Sequence, residues 1–349
     1  MAALRVHKND NDVSDSSQDN SKPTTLTVLG CGTLGIAILS GICDSISATS
    51  TSTNSTSPAN GNSDPLLEMP TRFVACVRSQ KSAKRIKDAL AKYKSLEDDV
   101  QVLQNENVEG VQAADVVILG CKPYMVKDIL QAEGMRDALE GKLLISICAG
   151  VPVDQISEAL YNRPYESLFP HGKAVGNGVC HIVRVMPNTA ALVRQSMTVI
   201  ATSTPPLPDH YQAITDWIFT RVGSTVTLPP NMMDVSTALC GSGPAFLALV
   251  LESLADGAVA MGLPRAEAQM MAAQAMRGTA GLVQNGEHPA LLREKVSTPG
   301  GCTMGGLLVL EEGGVRGTVS RSIREATVVA SQLGKGVQGV NGTRFLTQG

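Results

Sequence analysis

Along the first two thirds of the chain, short apolar runs of strand length alternate with stretches whose apolar residues recur at helical spacing. Leu26-Thr27-Val28-Leu29 reads as a strand, Thr33 to Ile46 as a helix, Phe73 to Val77 as a strand and Lys81 to Lys94 as a helix. Further strands are expected at Val116 to Leu119, Leu143 to Cys148 and Ile182 to Val185. Strands alternating with helices predict a parallel sheet covered on both faces. After Val226 the pattern changes to Ala, Met, Leu and Gly at helical spacing, and no further strand is expected. Gly262, just past Ala245 to Met261, and Pro264, at the start of Arg265 to Val283, punctuate two of these helices.

The fold class that follows is an α/β Rossmann-type doubly wound domain over 23–228 and an all-α dimerisation domain over 229–349. Two segments, 1–22 and the Ser/Thr/Asn-rich insert at 47–64, have too few apolar side chains to offset the entropy of ordering and are expected to be flexible. Arg163 to Gly178 is expected to be a surface loop. The helices from Ala245 to Val283 carry so few charges that an isolated domain would expose much apolar surface. Burial against a second copy is the simplest remedy, so a homodimer or a larger homo-oligomer is expected.

Composition narrows the partners. With 349 residues, 43% of them hydrophobic, the chain can bury a core in each domain. A net charge of -3 and only 3% aromatic residues provide neither a basic field nor stacking platforms for nucleic acid. The longest apolar stretch, Ala245 to Leu263, holds Glu252 and Asp256, costly inside lipid, so no membrane span is expected. The eight cysteines lack any CxxC pair and sit mostly in apolar strings. They read as core residues in a reducing compartment, and no metal site is expected. Asp10, Asp12, Asp15 and Asp19, with no apolar signal core, point to the cytoplasm.

Gly30-Cys31-Gly32-Thr33-Leu34-Gly35 fits GxGxxG between a strand and a helix. The first glycine makes the tight turn, the second admits the pyrophosphate and the third lets helix pack on strand. The phosphates would meet the helix N-terminus. The second strand ends in Val77-Arg78-Ser79-Gln80-Lys81 rather than in a carboxylate. A guanidinium, a hydroxyl and an ammonium suit a 2'-phosphate, so NADPH is favoured and NADH is the alternative. Cys121-Lys122-Pro123 and Ala149-Gly150 follow further strands at the edge where such sheets bind ligands, and both are cofactor candidates.

In the helical domain, Val296-Ser297-Thr298-Pro299-Gly300-Gly301-Cys302-Thr303 precedes the apolar run Met304 to Leu310. The N–H groups of Gly300, Gly301, Cys302 and Thr303 at a helix start would form a nest for a carboxylate, with Thr303 also able to cap the helix. A hydroxyacid dehydrogenase would instead need a Lys or His base. Between Ala174 and Gly334 the lysine is Lys295 alone and the histidines are His181, His210 and His288. A cofactor-sensing regulator would not need the nest at all.

These segments together resemble the pyrroline-5-carboxylate reductase family, from Leu26 to about Gly334. Gly30 to Gly35, Cys121-Lys122-Pro123, Ser146 to Val151, Arg184 to Thr189, Gly241 to Phe246, and Val296 to Thr303 followed by Leu310-Glu311 carry the resemblance. It implies NADPH-dependent reduction of the C=N bond of 1-pyrroline-5-carboxylate to L-proline, the last step of proline biosynthesis. The implied cofactor residues are Gly30, Cys31, Gly32, Thr33, Leu34, Arg78, Ser79, Asn107, Cys121, Lys122, Pro123, Ala149, Gly150 and Asn188. Val296, Thr298, Gly300, Gly301, Cys302 and Thr303 would hold the substrate, with Thr303 facing the imine nitrogen as the catalytic candidate. Ala190, Phe246 and Gly286 depart from the family pattern without removing a proposed catalytic group.

Overall fold

In the computed structural model, which describes residues 24–50, 69–170, 174, 178–334 and 337, the chain opens with β1 (Thr25–Leu29), α1 (Thr33–Ser50), β2 (Arg72–Val77), α2 (Gln80–Leu90), β3 (Val100–Gln104) and α3 (Asn107–Gln112). It continues through β4 (Val116–Leu119), α4 (Val126–Leu130), α5 (Met135–Ala138), β5 (Leu143–Ser146), α6 (Val153–Tyr161) and β6 (His181–Met186). Then come β7 (Ser196–Ala201), α7 (Asp209–Thr220) and β8 (Gly223–Leu228). The remainder is helical: α8 (Met233–Ser236), α9 (Gly243–Ala260), α10 (Arg265–Gln284), α11 (Pro289–Val296), α12 (Cys302–Glu312) and α13 (Val315–Gly334).

All eight strands join one sheet in the order β3-β2-β1-β4-β5-β6-β7-β8. Every pair from β3 to β6 is parallel, β7 runs antiparallel to β6, and β8 is parallel to β7. Because β1 lies between β2 and β4, the winding reverses there and opens a crevice at the carboxyl ends of the strands. Alternate side chains explain the near-continuous apolar runs. Leu26, Val28, Val116 and Ile118 pack on the α1 and α7 side, and Leu29, Val117, Leu119 and Leu144 on the α3 to α6 side.

The pattern named no counterpart of β3, β7 or β8, nor of the helices α3 to α8, α11 and α13. β3 and β8 are the two sheet edges, and solvent reaches their polar residues: Gln101 and Gln104 are exposed in β3, Ser224 and Thr227 are exposed and Thr225 is half-buried in β8. α2 ends at Leu90 rather than Lys94, and a 3-10 turn over Lys94–Asp99 feeds β3. α1 runs through Ser50, so the first residues of the expected insert are helical. The rest of that insert, and the N-terminal 1–22, lie outside the described residues.

The loop expected on the surface at Arg163 to Gly178 is partly core. Tyr165, Leu168 and Phe169 are buried, and the Tyr165 hydroxyl accepts the Ile182 N–H at 3.0 Å, so the segment closes one end of the sheet. Residues 171–173 and 175–177 of it lie outside the described residues. The cysteines follow the core reading in six cases, with Cys240 half-buried and Cys302 exposed at the start of α12.

The helical half buries almost nothing by itself. Ala255 in α9, Ala268 in α10 and Ala330 in α13 are the buried residues of those helices, and α11 and α12 contain none. α9 packs beside α10, and α13 returns over α8 and the π-helical turn Thr237–Gly241.

Candidate functional site

The glycine loop bridges β1 and α1 at the switch point. Gly30 has φ +74°, and a Cβ there would lie 2.8 Å from Cys121 Cα, so only glycine fits both the turn and its neighbour. The N–H groups of Gly30 and Cys31 donate to the Cys76 carbonyl at 3.1 Å each, and Gly32 N–H donates to the Gly30 carbonyl at 2.7 Å. The Gly32 carbonyl accepts Ile36 N–H at 3.0 Å, which starts the helix. Thr33 and Leu34 therefore present first-turn N–H groups that have no intrahelical acceptor. Beside Gly32 the nearest atom to an added Cβ is the Gly30 oxygen at 3.8 Å, leaving open space for a phosphate. Gly35 fills the third role: a Cβ there would meet Val28 and Cys31 at 3.0 Å. The Cys31 side chain lies buried beneath the loop, its thiol pushed up to about 12 by burial, so only its backbone faces a ligand.

Arg78 and Lys81 are exposed at the carboxyl end of β2. Among the described residues neither forms an ion pair. Ser79 caps α2 by accepting Ser82 N–H at 3.2 Å, and its hydroxyl lies 3.0 Å from that of Ser82. Asn105 N–H donates to the Val77 carbonyl at 2.9 Å, which draws the end of β3 beside Arg78. Asn107, half-buried, then begins α3 on the same rim. The groups suited to the adenosine end thus share one edge of the crevice.

On the other side of β1, Cys121 is buried while Lys122 and Pro123 are exposed. After β5, Ala149 is exposed and open, but Gly150 is not: a Cβ on it would sit 3.2 Å from Gly334 N and 3.5 Å from the Ala330 carbonyl. The small residue at 150 serves the docking of α13. Asn188 is also committed to protein. Its Oδ1 accepts Ala190 N–H at 3.0 Å and its Nδ2 donates to the Cys240 carbonyl at 2.9 Å, joining the sheet to the π-helical turn.

A second link escaped the sequence reading. Arg184 of β6 is buried and pairs with Asp234 of α8 at 3.5 Å, while its Nε and one Nη have no hydrogen-bond partner. Burial pulls this guanidinium below its ordinary value against the opposing pull of Asp234, yet an arginine so placed stays charged. The pair fastens the helical half to the sheet, and the only sequence signal for it was one arginine in an apolar strand.

The glycine turn before α12 is built, with differences from expectation. The cap position is Gly301 rather than Thr303, which falls in the first turn. Gly301 N–H is already donated to the Thr298 carbonyl at 3.0 Å, leaving Cys302 and Thr303 with first-turn N–H groups that have no intrahelical acceptor. Gly300 has φ +69°, and a Cβ on Gly301 would collide with Thr298 Oγ1, so that hydroxyl lies over the turn. No hydrogen bond among the described residues joins 296–303 to the glycine loop or to 121–123. A cleft of about 460 Å³ runs between β6, α6 and the end of α13, and one of about 890 Å³ opens between Ala149, Ser242, Phe246 and α13. Neither has a residue of 296–303 in its wall.

Residues 230–333 match the family described as pyrroline-5-carboxylate reductase dimerisation, and 25–150 match the one described as NADP oxidoreductase, coenzyme F420-dependent. A pyrroline-5-carboxylate reductase of Lophium arboricola is 59% identical over 95% of this chain and 99% of its own length. One of Neurospora crassa is 53% identical over 93% of this chain and 98% of its own. Among solved structures, a Plasmodium falciparum pyrroline carboxylate reductase with NADP bound superposes with a TM-score of 0.67 at 24% identity, covering 89% of this chain and 98% of that one. That likeness speaks to the fold.

Proposed function

Because the chain belongs to the pyrroline-5-carboxylate reductase family, we propose that it uses NADPH to reduce 1-pyrroline-5-carboxylate to L-proline, the last step of proline biosynthesis. The observation that carries this reading is the presence of two distinct anion cradles in one chain, Gly30 to Leu34 at the start of α1 and Thr298 to Thr303 at the start of α12. A diphosphate suits the first and a small carboxylate the second.

The open space beside Gly32 and the free N–H groups of Thr33 and Leu34 fit a dinucleotide pyrophosphate, with Arg78, Ser79 and Asn107 on the adenosine side and Lys122, Pro123 and Ala149 towards the other end. When bound, the nicotinamide supplies a hydride to the C=N carbon. The chain's own work is holding the imine. Cys302 and Thr303 N–H groups take the carboxylate, Thr298 Oγ1 narrows the turn, and Val296 provides an apolar wall. The Thr303 hydroxyl lies next to the ring nitrogen and positions it, or hands it a proton that solvent replaces. A basic imine needs no stronger acid.

The two cradles do not meet within one chain, and α9 to α12 leave Leu249, Met270 and Val309 bare. A homodimer, or a larger homo-oligomer built from it, would cover these helices and bring one copy's carboxylate turn to the other copy's nucleotide crevice. The run Pro230–Ala260 is long and apolar enough to cross a bilayer by length and composition, but Asp234, Glu252 and Asp256 fit a protein interface better. A cytoplasmic enzyme with no nucleic-acid or membrane partner is the reading these features support. NADPH oxidation with pyrroline-5-carboxylate against a panel of keto acids, repeated with NADH, tests it. Turnover of a keto acid in preference to the imine would overturn it.

A further inference from the structure

Two cysteines meet beneath the nucleotide loop and have no part in the proposed reaction as thiols. The parallel register pairs Leu119 of β4 with Ser146 of β5, and two residues farther on each chain come Cys121 and Cys148. Neighbouring strands lie about 4.8 Å apart, within the range of about 4.4–6.8 Å that a disulfide needs between Cα atoms. The two sulfurs stand 4.0 Å apart, and the Cys148 thiol faces the carbonyls of Leu119 at 3.4 Å and Cys121 at 3.3 Å. The Cys121 backbone is the surface against which Gly30 packs, so this pair sits one contact layer below the pyrophosphate cradle.

We propose that Cys121 and Cys148 form a reversible disulfide under hydroperoxide stress, and that closing it deforms the turn at Gly30 and weakens NADPH binding. The inference goes beyond the reductase reading and uses it only for the identity of the nucleotide. Drawing the sulfurs from 4.0 Å to the bond length of about 2.05 Å requires one or both loops to move. β1 and β5 flank β4, so Gly30 and Cys148 lie on opposite sides of Cys121, and drawing Cys121 toward Cys148 moves the loop between β4 and α4 away from the Gly30 turn that packs against it.

The chemistry balances with hydroperoxide as oxidant. Cys121 Sγ, as thiolate, attacks one peroxide oxygen; an S–O bond forms, the O–O bond breaks, and the departing oxygen leaves protonated as water or an alcohol. Cys148 Sγ gives up its proton and attacks the sulfenic sulfur; the S–S bond forms, the S–O bond breaks, and hydroxide leaves with that proton as water. The peroxide gains the two electrons that the thiols lose. The roles follow from the surroundings. The hydrogen bond from Cys148 holds the Cys121 thiol below its ordinary value, helped by the Arg78 guanidinium, while the same contact and burial push Cys148 up. Cys121 also keeps slightly more contact with solvent, at 8% exposed against 2%.

The test uses the reduced full-length protein treated with hydrogen peroxide, alkylated after denaturation and mapped by peptide mass, with NADPH affinity measured by titration before, after, and after dithiothreitol. The expected result is a 121–148 linkage, a Kd for NADPH raised about tenfold or more, recovery on reduction, and slower oxidation when NADPH is already bound. Cys148→Ser should retain NADPH binding, form no linkage and lose the reversible response. Two free, alkylated thiols after peroxide treatment would overturn the proposal, and so would a linkage that leaves NADPH affinity unchanged. Peptide mapping and NADPH titration need no turnover, so together they decide the matter whatever the imine assay gives.

Discussion

The sheet and the helical half of this chain have similar appetites for burial and satisfy them differently. Every residue of β1, β4 and β5 is buried, by helices that the same chain supplies. In α9 and α12 the comparable side chains stand in the open, Leu249 at 64% and Val309 at 66% exposed. A helix with an apolar stripe asks only for a partner surface and does not specify whose chain provides it. Nucleotide binding should therefore be a property of one chain. Imine reduction should be a property of the assembly.

The strongest way to break that division is at the first cradle. Gly30→Val adds a branched side chain at φ +74° where even a Cβ lies 2.8 Å from Cys121 Cα. NADPH titration should show no saturable binding, and kcat/KM should fall by about a thousandfold or more. Retained binding would mean that the loop does not hold the pyrophosphate. The next effect comes from the other half. Val309→Asp places a charge on the bare face of α12, and sedimentation should then show monomer, with kcat/KM down about a hundredfold while NADPH affinity is kept. A monomer of full activity would dissolve the contrast between the halves.

How much of this was legible beforehand follows the same line. β1, β2, β4, β5 and β6 were readable because a strand buried on both faces is apolar at nearly every position. β3 and β8 were not, because Gln101, Gln104, Ser224 and Thr227 make an edge strand read as a loop. The glycine loop was legible down to the tight turn at Gly30 and the close helix packing at Gly35, since local turn geometry dictates the residue. Gly150 was legible as a glycine, and its φ of +72° accounts for the residue type, but its close approach to Gly334 was not legible, since that neighbour lies far along the chain. The same distance hid the pairing of Arg184 with Asp234 and of Cys121 with Cys148. At α12 the reading had the nest but put the cap two residues late, because Gly301 caps through backbone alone and offers no side-chain oxygen to recognise.

Within the second cradle, Thr303→Ala isolates the hydroxyl from the backbone N–H groups that take the carboxylate. Turnover should fall about thirtyfold with KM for the imine little changed and NADPH affinity intact, the pattern of a group that acts on the reacting nitrogen. Thr303→Ser should recover most of the loss. Equal turnover in the alanine variant would remove the hydroxyl from the reaction and leave the N–H groups as the whole of the site.

The smallest effect returns to the sheet and asks whether its edge recognises a phosphate or merely carries charge. Arg78 is exposed beside the Ser79 cap, with no ion pair to another described residue. A charge-assisted contact to a 2'-phosphate is worth about 1.5–3 kcal/mol, so Arg78→Ala should raise KM for NADPH about tenfold. KM for NADH, which lacks that phosphate, should stay where it is. Parallel losses with both cofactors would assign Arg78 to the adenine or to the packing of the loop, and rising salt would separate the cases, since only the phosphate contact weakens steeply as ions screen it. Because the substitution lies on the self-sufficient half, the sedimentation profile should not move, whereas Val309→Asp should move sedimentation and spare the cofactor. The two variants together test whether nucleotide recognition and assembly are as separable in solution as their burial makes them.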